Sequence, residues 1–110
     1  MIAALLARTN TLNFCTNIML LAAHHPLEVA EQITTLNELS RNRFILGAGL
    51  GYVPHEFEHV GWGFKNRVSR FEECVAVLRL ALTGEAFSFQ GKHFQIENCT
   101  LQPPPLPDAA

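Results

Sequence analysis

Phe44-Ile45-Leu46-Gly47-Ala48-Gly49 is an almost unbroken apolar run that ends on glycine and continues into Leu50-Gly51. A strand with one wet face alternates polar and apolar side chains, whereas a strand covered on both faces of a parallel sheet reads as one continuous apolar stretch. Upstream, Arg41–Arg43 is a short connection. Before it, Val29, Ile33, Leu36 and Leu39 recur at helical spacing, which predicts a helix with one apolar stripe running through Ser40. Pro26 stands where that helix would begin, a position at which its missing N–H costs nothing. Leu12–Leu21, rich in Leu, Phe and Ile but broken by Thr16 and Asn17, predicts an earlier strand closed by His24-His25-Pro26. Strand, helix and strand in that order form a βαβ unit of α/β class, whose crossover is expected to be right-handed.

Outward from this unit the pattern thins. Met1–Ala7 reads as the last turns of a helix, with Arg8 at its C-terminal end where positive charge is favoured. Tyr52–Lys65 is irregular and holds Pro54, Gly61, Trp62 and Gly63. A second helix is predicted over Asn66–Thr83, with Val68, Phe71, Val75, Leu78 and Leu82 on one face and Gly84 as its terminator. Ala86–Phe89 and His93–Ile96 flank Gln90, Gly91 and Lys92, a hairpin signal. Gln102–Pro107 is extended and proline-rich. Two parallel strands and a hairpin leave open sheet edges and half-covered helices, so the chain is expected to be part of a larger domain.

Composition narrows the function classes. The chain has 110 residues, a net charge of -2 and only 16% charged residues. Its eight Lys and Arg are scattered, with no basic patch of the kind that nucleic acid requires. Cys15, Cys74 and Cys99 have neither metal-knuckle nor redox-motif spacing and are expected to be buried or half-buried free thiols in a reducing cytosol. Met1–Ala7 lacks the charged start and length of a secretion signal. Ile18–Ala23 is too short to span a bilayer, so a cytoplasmic location without a membrane partner is expected.

Several motifs carry chemistry on paper. His55-Glu56-Phe57-Glu58-His59 matches HExxH, which on a long helix sets two imidazoles on one face for zinc with the glutamate as base. Pro54 and Gly61 confine any helix here to a few residues, so a zinc hydrolase is the remote alternative and a surface helix the better expectation. Gly47-Ala48-Gly49-Leu50-Gly51 hints at a dinucleotide loop, but its spacing is GxGxG and no helix starts promptly after it. Such glycines also suit a strand end where backbone approaches a neighbour closely, or one that leaves room for a planar ring at the carboxyl rim of a β/α barrel. His24 and His25 are adjacent, so their side chains diverge. Arg67 and Arg70 read as solvated charges at a helix start, although one of them could reach an anionic ligand.

The ordered set Thr16-Asn17-Ile18, His25-Pro26-Leu27, Ala30-Glu31, Thr35-Leu36, Leu39-Ser40, Arg43-Phe44, Leu46-Gly47 and Gly49-Leu50-Gly51-Tyr52 resembles the luciferase-like monooxygenases. So do Glu56-Phe57, Arg70-Phe71-Glu72-Glu73, Thr83-Gly84-Glu85 and His93-Phe94, and the likeness extends over nearly all of residues 3–107. The resemblance implies one (β/α)8 barrel domain of which residues 1–110 hold part. Leu12–Leu21 would be barrel strand three, Phe44–Gly49 strand four, and Ala86–Ile96 a β-hairpin insertion before strand five. It implies a flavin-dependent oxidoreductase, a monooxygenase that uses reduced FMN, or alternatively a deazaflavin, with O2 on a small organic substrate.

By the same resemblance a non-proline cis peptide at Asn17–Ile18 forms a bulge behind the flavin, and Gly49 to Tyr52 face the ring. Asn17, Ile18, Gly49 and Tyr52 are thus the implied cofactor-binding residues; no catalytic side chain is identified and no metal is implied. A homodimer built on Pro26–Ser40 and the N-terminal helix is the implied assembly. Leu50 departs from relatives that carry an arginine there, and Asn42 from those with glycine. A full barrel takes about 250 residues, so a truncated, non-catalytic fragment or subunit is the rival expectation.

Overall fold

The computed structural model describes residues 1–51, 54–59, 61 and 63–106, with Glu56 described by its backbone alone. The order is α1 (Ile2–Ala7), β1 (Phe14–Cys15), β2 (Met19–Leu20), α2 (Pro26–Ser40), β3 (Phe44–Ile45), β4 (Ala48–Gly49), α3 (Pro54–His59), α4 (Arg67–Ala81), β5 (Phe87–Gln90) and β6 (Gln95–Cys99). Short 3-10 turns at Leu21–Ala23 and Phe64–Asn66 precede α2 and α4.

The two predicted strands are parallel neighbours, but each is split in two. β1 pairs with β3 in the register Phe14 to Phe44, and β2 pairs with β4 in the register Met19 to Ala48. The offset falls from 30 (44 − 14) to 29 (48 − 19), so one extra residue is accommodated within Thr16–Ile18. The Asn17–Ile18 peptide within that bulge is cis, where the family resemblance located it. Thr16 repairs the ladder with its side chain: its hydroxyl donates to the Gly47 carbonyl at 2.8 Å and accepts from the Gly47 N–H at 2.9 Å. Beyond the break, the Met19 N–H donates to the same Gly47 carbonyl at 2.8 Å.

Helix α2 begins as Pro26 predicts. The His25 ring Nδ1 accepts the Leu27 N–H at 3.2 Å, satisfying one of the free donors of the first turn. Its buried face is Pro26, Val29, Ala30, Ile33, Thr34, Asn37 and Ser40. Leu39, predicted on the stripe, is instead 53% exposed. The stripe is displaced because small polar residues are buried where backbone needs them. Asn37 Oδ1 accepts the Phe44 N–H at 3.0 Å, and Ser40 Oγ accepts the Arg43 N–H at 3.2 Å. Arg41 and Asn42 then turn the chain with φ of 58° and 65°.

Helix α4 is shorter than its predicted span, and it buries Cys74, Val77, Leu78 and Ala81. Val68, predicted on the buried face, is 49% exposed. In the hairpin the turn is longer than predicted, and the second strand begins at Gln95 instead of His93. The cause is Glu73 on α4, whose carboxylate accepts the N–H groups of Lys92, His93 and Phe94 and removes them from the ladder. One apolar core runs from Leu6 through Leu21, Val29, Phe44 and Val77 to Leu101.

The whole is a slab of 41 × 32 × 17 Å with its helices on one side of the parallel strands. Ile18 and Ile45, at 56% and 55%, and Cys15 are exposed. Among the described residues no helix is long and apolar enough to cross a membrane.

Candidate functional site at the strand ends

The carboxyl ends of β2 and β4 open onto a shallow groove lined by Ile18, Leu20, Gly49, Leu50, Gly51 and Arg67. Its wall is apolar, and among these lining residues Arg67 is the single charged side chain. Ile18 and Gly49 are therefore brought together here, whereas Tyr52 lies outside the described residues. Asn17 is exposed beside Ile18 on the bulge.

The glycines of this stretch have a local reason. A Cβ on Gly47 would meet the carbonyl oxygen of Thr16, and one on Gly49 would lie 2.8 Å from Ile18 Cγ2, closer than carbon atoms approach. The space beside Gly49 is thus filled by the bulge itself, and the ring-sized opening lies outward of Ile18. The next helix, α3, begins at Pro54 and has only six residues, and the stretch keeps GxGxG instead of GxGxxG spacing.

Helix α3 packs against Gly51 at one side of the groove. Phe57 is fully buried, packs edge-on against Phe64 at 5.6 Å and faces Gly51. This is the structural use of the HExxH segment. His55 is exposed and bonds Glu58 at 3.2 Å, His59 is exposed, and no group of three or more potential metal ligands occurs among the described residues.

Arg67 enters from the first turn of α4. Its guanidinium carbon lies 4.0 Å over the Phe64 ring, and one terminal nitrogen donates to the Phe64 carbonyl at 3.3 Å. Its Nε is buried without a hydrogen-bond partner. Arg70 points elsewhere, with its guanidinium carbon 5.2 Å from the Phe94 ring. Burial lowers the Arg70 pKa, and Cys74 and Glu73 oppose that shift. His25 is a helix cap that also meets Phe94 edge-on at 5.1 Å, and His24 is exposed.

Arg43 was visible in the sequence only as part of a family-like run. It donates to the carbonyls of Leu6, Thr9, Leu12 and Ser40 and to the Thr9 hydroxyl, tying α1 to the end of α2. A second apolar groove, between α1, α2 and the helix side of the sheet, is lined by Ile2, Met19, Val29, Ile33 and Phe44 among others. No charged side chain lines it, and it offers packing surface instead of chemistry.

A family model described as luciferase-like monooxygenase matches residues 1–109. An uncharacterized protein of Mycobacterium tuberculosis is 35% identical over 103 residues, which are 94% of this chain and 36% of that protein. The oxygenating constituent of 3,6-diketocamphane monooxygenase from Pseudomonas putida, solved in complex with FMN, superposes with a TM-score of 0.78 at 27% identity. That match covers 86% of this chain and 27% of the other. An F420-dependent secondary alcohol dehydrogenase shares the fold with a TM-score of 0.82 at 24% identity, over 96% of this chain and 33% of its own. The chain thus spans about a third of the length of the proteins it matches.

Proposed function

Because the chain belongs to the luciferase-like monooxygenase family, we propose that it contributes strands three and four of a (β/α)8 barrel in a flavin-dependent monooxygenase that uses reduced FMN and O2 on a small organic substrate. The observation that carries this reading is the apolar groove at the carboxyl ends of two parallel strands, formed against the Asn17–Ile18 bulge. Active sites of β/α barrels are built at that rim.

The residues present fit a flavin. Ile18, Leu20, Gly49 and Leu50 supply an apolar wall for one face of a planar ring, and Arg67 supplies positive charge at its margin. Ile18 and Gly49 would bear on the ring, Asn17 would offer its amide to polar ring atoms, and Tyr52 would be a further ring contact. The apolar wall would keep water from the reacting face. Bound reduced flavin supplies the electrons for oxygen chemistry, and these residues supply position and dryness. The full protein would be a cytoplasmic homodimer that meets its partner through α1 and α2.

The test is an equilibrium titration of the complete protein with FMN and with the deazaflavin F420, followed by flavin fluorescence. Micromolar FMN binding that weakens when Ile18 is changed to Asp is the expected result. Preference for F420 would move the protein to the deazaflavin branch, and binding of neither would sink the reading. A second reading, a non-catalytic piece or subunit, is favoured by the exposed Ile18 and Ile45 on the uncovered side of the sheet. A purified 110-residue chain that is monomeric, cooperatively folded and flavin-binding would count against it.

A further inference from the structure

The turn of the β5–β6 hairpin is seated on a single side chain of α4. The N–H groups of Lys92, His93 and Phe94 all donate to the Glu73 carboxylate, at 3.0 to 3.3 Å. A Cβ on Gly91 would collide with Glu73 Oε1, so the turn lies flat against the carboxylate. The seat is sheltered, with the Glu73 and His93 side chains 14% and 8% exposed. Hydrogen bonds to an ionised acceptor are about twice as strong as neutral ones. The seated turn then bridges two other places. His93 Nε2 lies 2.7 Å from the Ser69 hydroxyl in the first turn of α4. Phe94, 5% exposed, meets the His25 ring edge-on at 5.1 Å and has the Arg70 guanidinium carbon 5.2 Å from its centroid. His25 caps α2 just beyond β2, whose Leu20 lines the strand-end groove, and Arg67 lines the same groove from the first turn of α4.

We infer that Glu73, which does not itself line the groove, is its positioning residue: by seating the hairpin turn it fixes the first turn of α4 relative to the ends of β2 and β4, and so sets the width of the opening. The middle of α4 has a separate anchor, because Cys74 is fully buried with its Sγ 3.8 Å from the Leu21 carbonyl oxygen. Arg67 stands about 10 Å along the helix axis from that anchor, at about 1.5 Å per residue. Release of the turn therefore lets α4 tilt about Cys74, and the displacement is largest where the helix borders the groove. Shifts of packed helices by about 1–2 Å are an ordinary form of conformational change. The inference deepens the flavin reading and rests on it only for the ligand that the groove takes. The competing role for Glu73 is local, closing the hairpin turn without any effect on the groove.

The experiment uses the full chain, its Glu73→Gln variant and its Phe94→Leu variant, with folding checked by circular dichroism. In the first arm, amide exchange at Lys92–Phe94 reports release of the turn, and the methyl resonances of Leu20 and Leu50 report the groove. Leu20 Cδ2 and the Phe57 ring both border Gly51, so the Leu20 methyl shift is sensitive to movement of that ring. Faster exchange at the turn together with displaced Leu20 and Leu50 resonances is expected for Glu73→Gln. Faster exchange with unmoved methyls identifies the local role and overturns the inference, and unchanged exchange at the turn overturns it as well. Should Glu73→Gln fail to fold, Phe94→Leu decides, because it keeps the three N–H donors and removes only the ring between His25 and Arg70; unmoved methyls in that variant overturn the inference. In the second arm FMN is titrated, and Glu73→Gln is expected to bind it about tenfold more weakly, equivalent to about 1.4 kcal/mol. Displaced methyls with unchanged FMN affinity uphold the role of Glu73 and count against the flavin reading. Absence of FMN binding by the unaltered chain also counts against that reading alone, since the methyl arm still decides for or against Glu73.

Discussion

Arg43 and Cys74 show what single side chains do in this fold. The Arg43 guanidinium donates five hydrogen bonds to groups on Leu6, Thr9, Leu12 and Ser40. Arg43→Ala would leave several carbonyls without a donor, and a loss of about 3 kcal/mol is expected from urea unfolding. Arg43→Lys should restore only part of it, because an ammonium cannot serve so divergent a set of acceptors. Cys74 is fully buried, and burial pushes its thiol from 9.0 up to about 11, with Arg70 opposing and Glu73 adding to the rise. The folded state therefore disfavours the thiolate. This contribution to stability is complete below about pH 9 and declines as pH rises toward 11. Iodoacetamide at pH 8 should modify the exposed Cys15 rapidly and leave Cys74 intact until the chain unfolds; equal rates would contradict this. Neither role could be read from the residues alone. Arginine in a short connection and cysteine in a helix each have many uses, and only the tertiary neighbours choose among them.

At the scale of elements, periodicity and punctuation carried the most information. Pro26 marked the start of α2, and the apolar run at Phe44–Gly49 marked a buried parallel strand, because both signals are local. The face of each helix was less legible. Thr34, Asn37 and Ser40 are buried since they bond backbone nearby, and hydrophobic spacing cannot anticipate that. The hairpin turn was misjudged for a related reason. Glu73, about twenty positions upstream, takes three consecutive N–H groups from the turn, and Ser69 reaches His93 Nε2 at 2.7 Å. Glu73→Gln keeps the shape but weakens these acceptors. Amide exchange at Lys92–Phe94 should accelerate about tenfold while the amides of α2 keep their protection, as in a local opening. A uniform acceleration across the chain would mean that the clamp supports the whole fold instead.

On the scale of the molecule, the slab has one well-packed side and one side that carries Ile18 and Ile45 in water. Ile45→Lys should therefore alter urea stability of this chain by less than about 0.5 kcal/mol, as an exposed position does, while reducing its binding of an anilinonaphthalene dye. A large destabilisation would show that the side is covered in solution. The candidate groove was legible to the extent that Ile18 and the stretch Gly49, Leu50 and Gly51 line it; Leu20 and Arg67 complete it only because the chain brings β2, β4 and α4 to one edge.

One consequence belongs to Thr16. Ordinary rungs of a sheet are peptide groups and cannot let go unless the main chain shifts, but the rung at Gly47 is a hydroxyl on a rotatable bond. A single rotamer hop would release the Gly47 amide, while the Met19 N–H keeps its hold on the Gly47 carbonyl. Deuterium uptake at the Gly47 amide should accordingly outpace that at Phe14 and Met19, and the rim could flex while its foundation stays still.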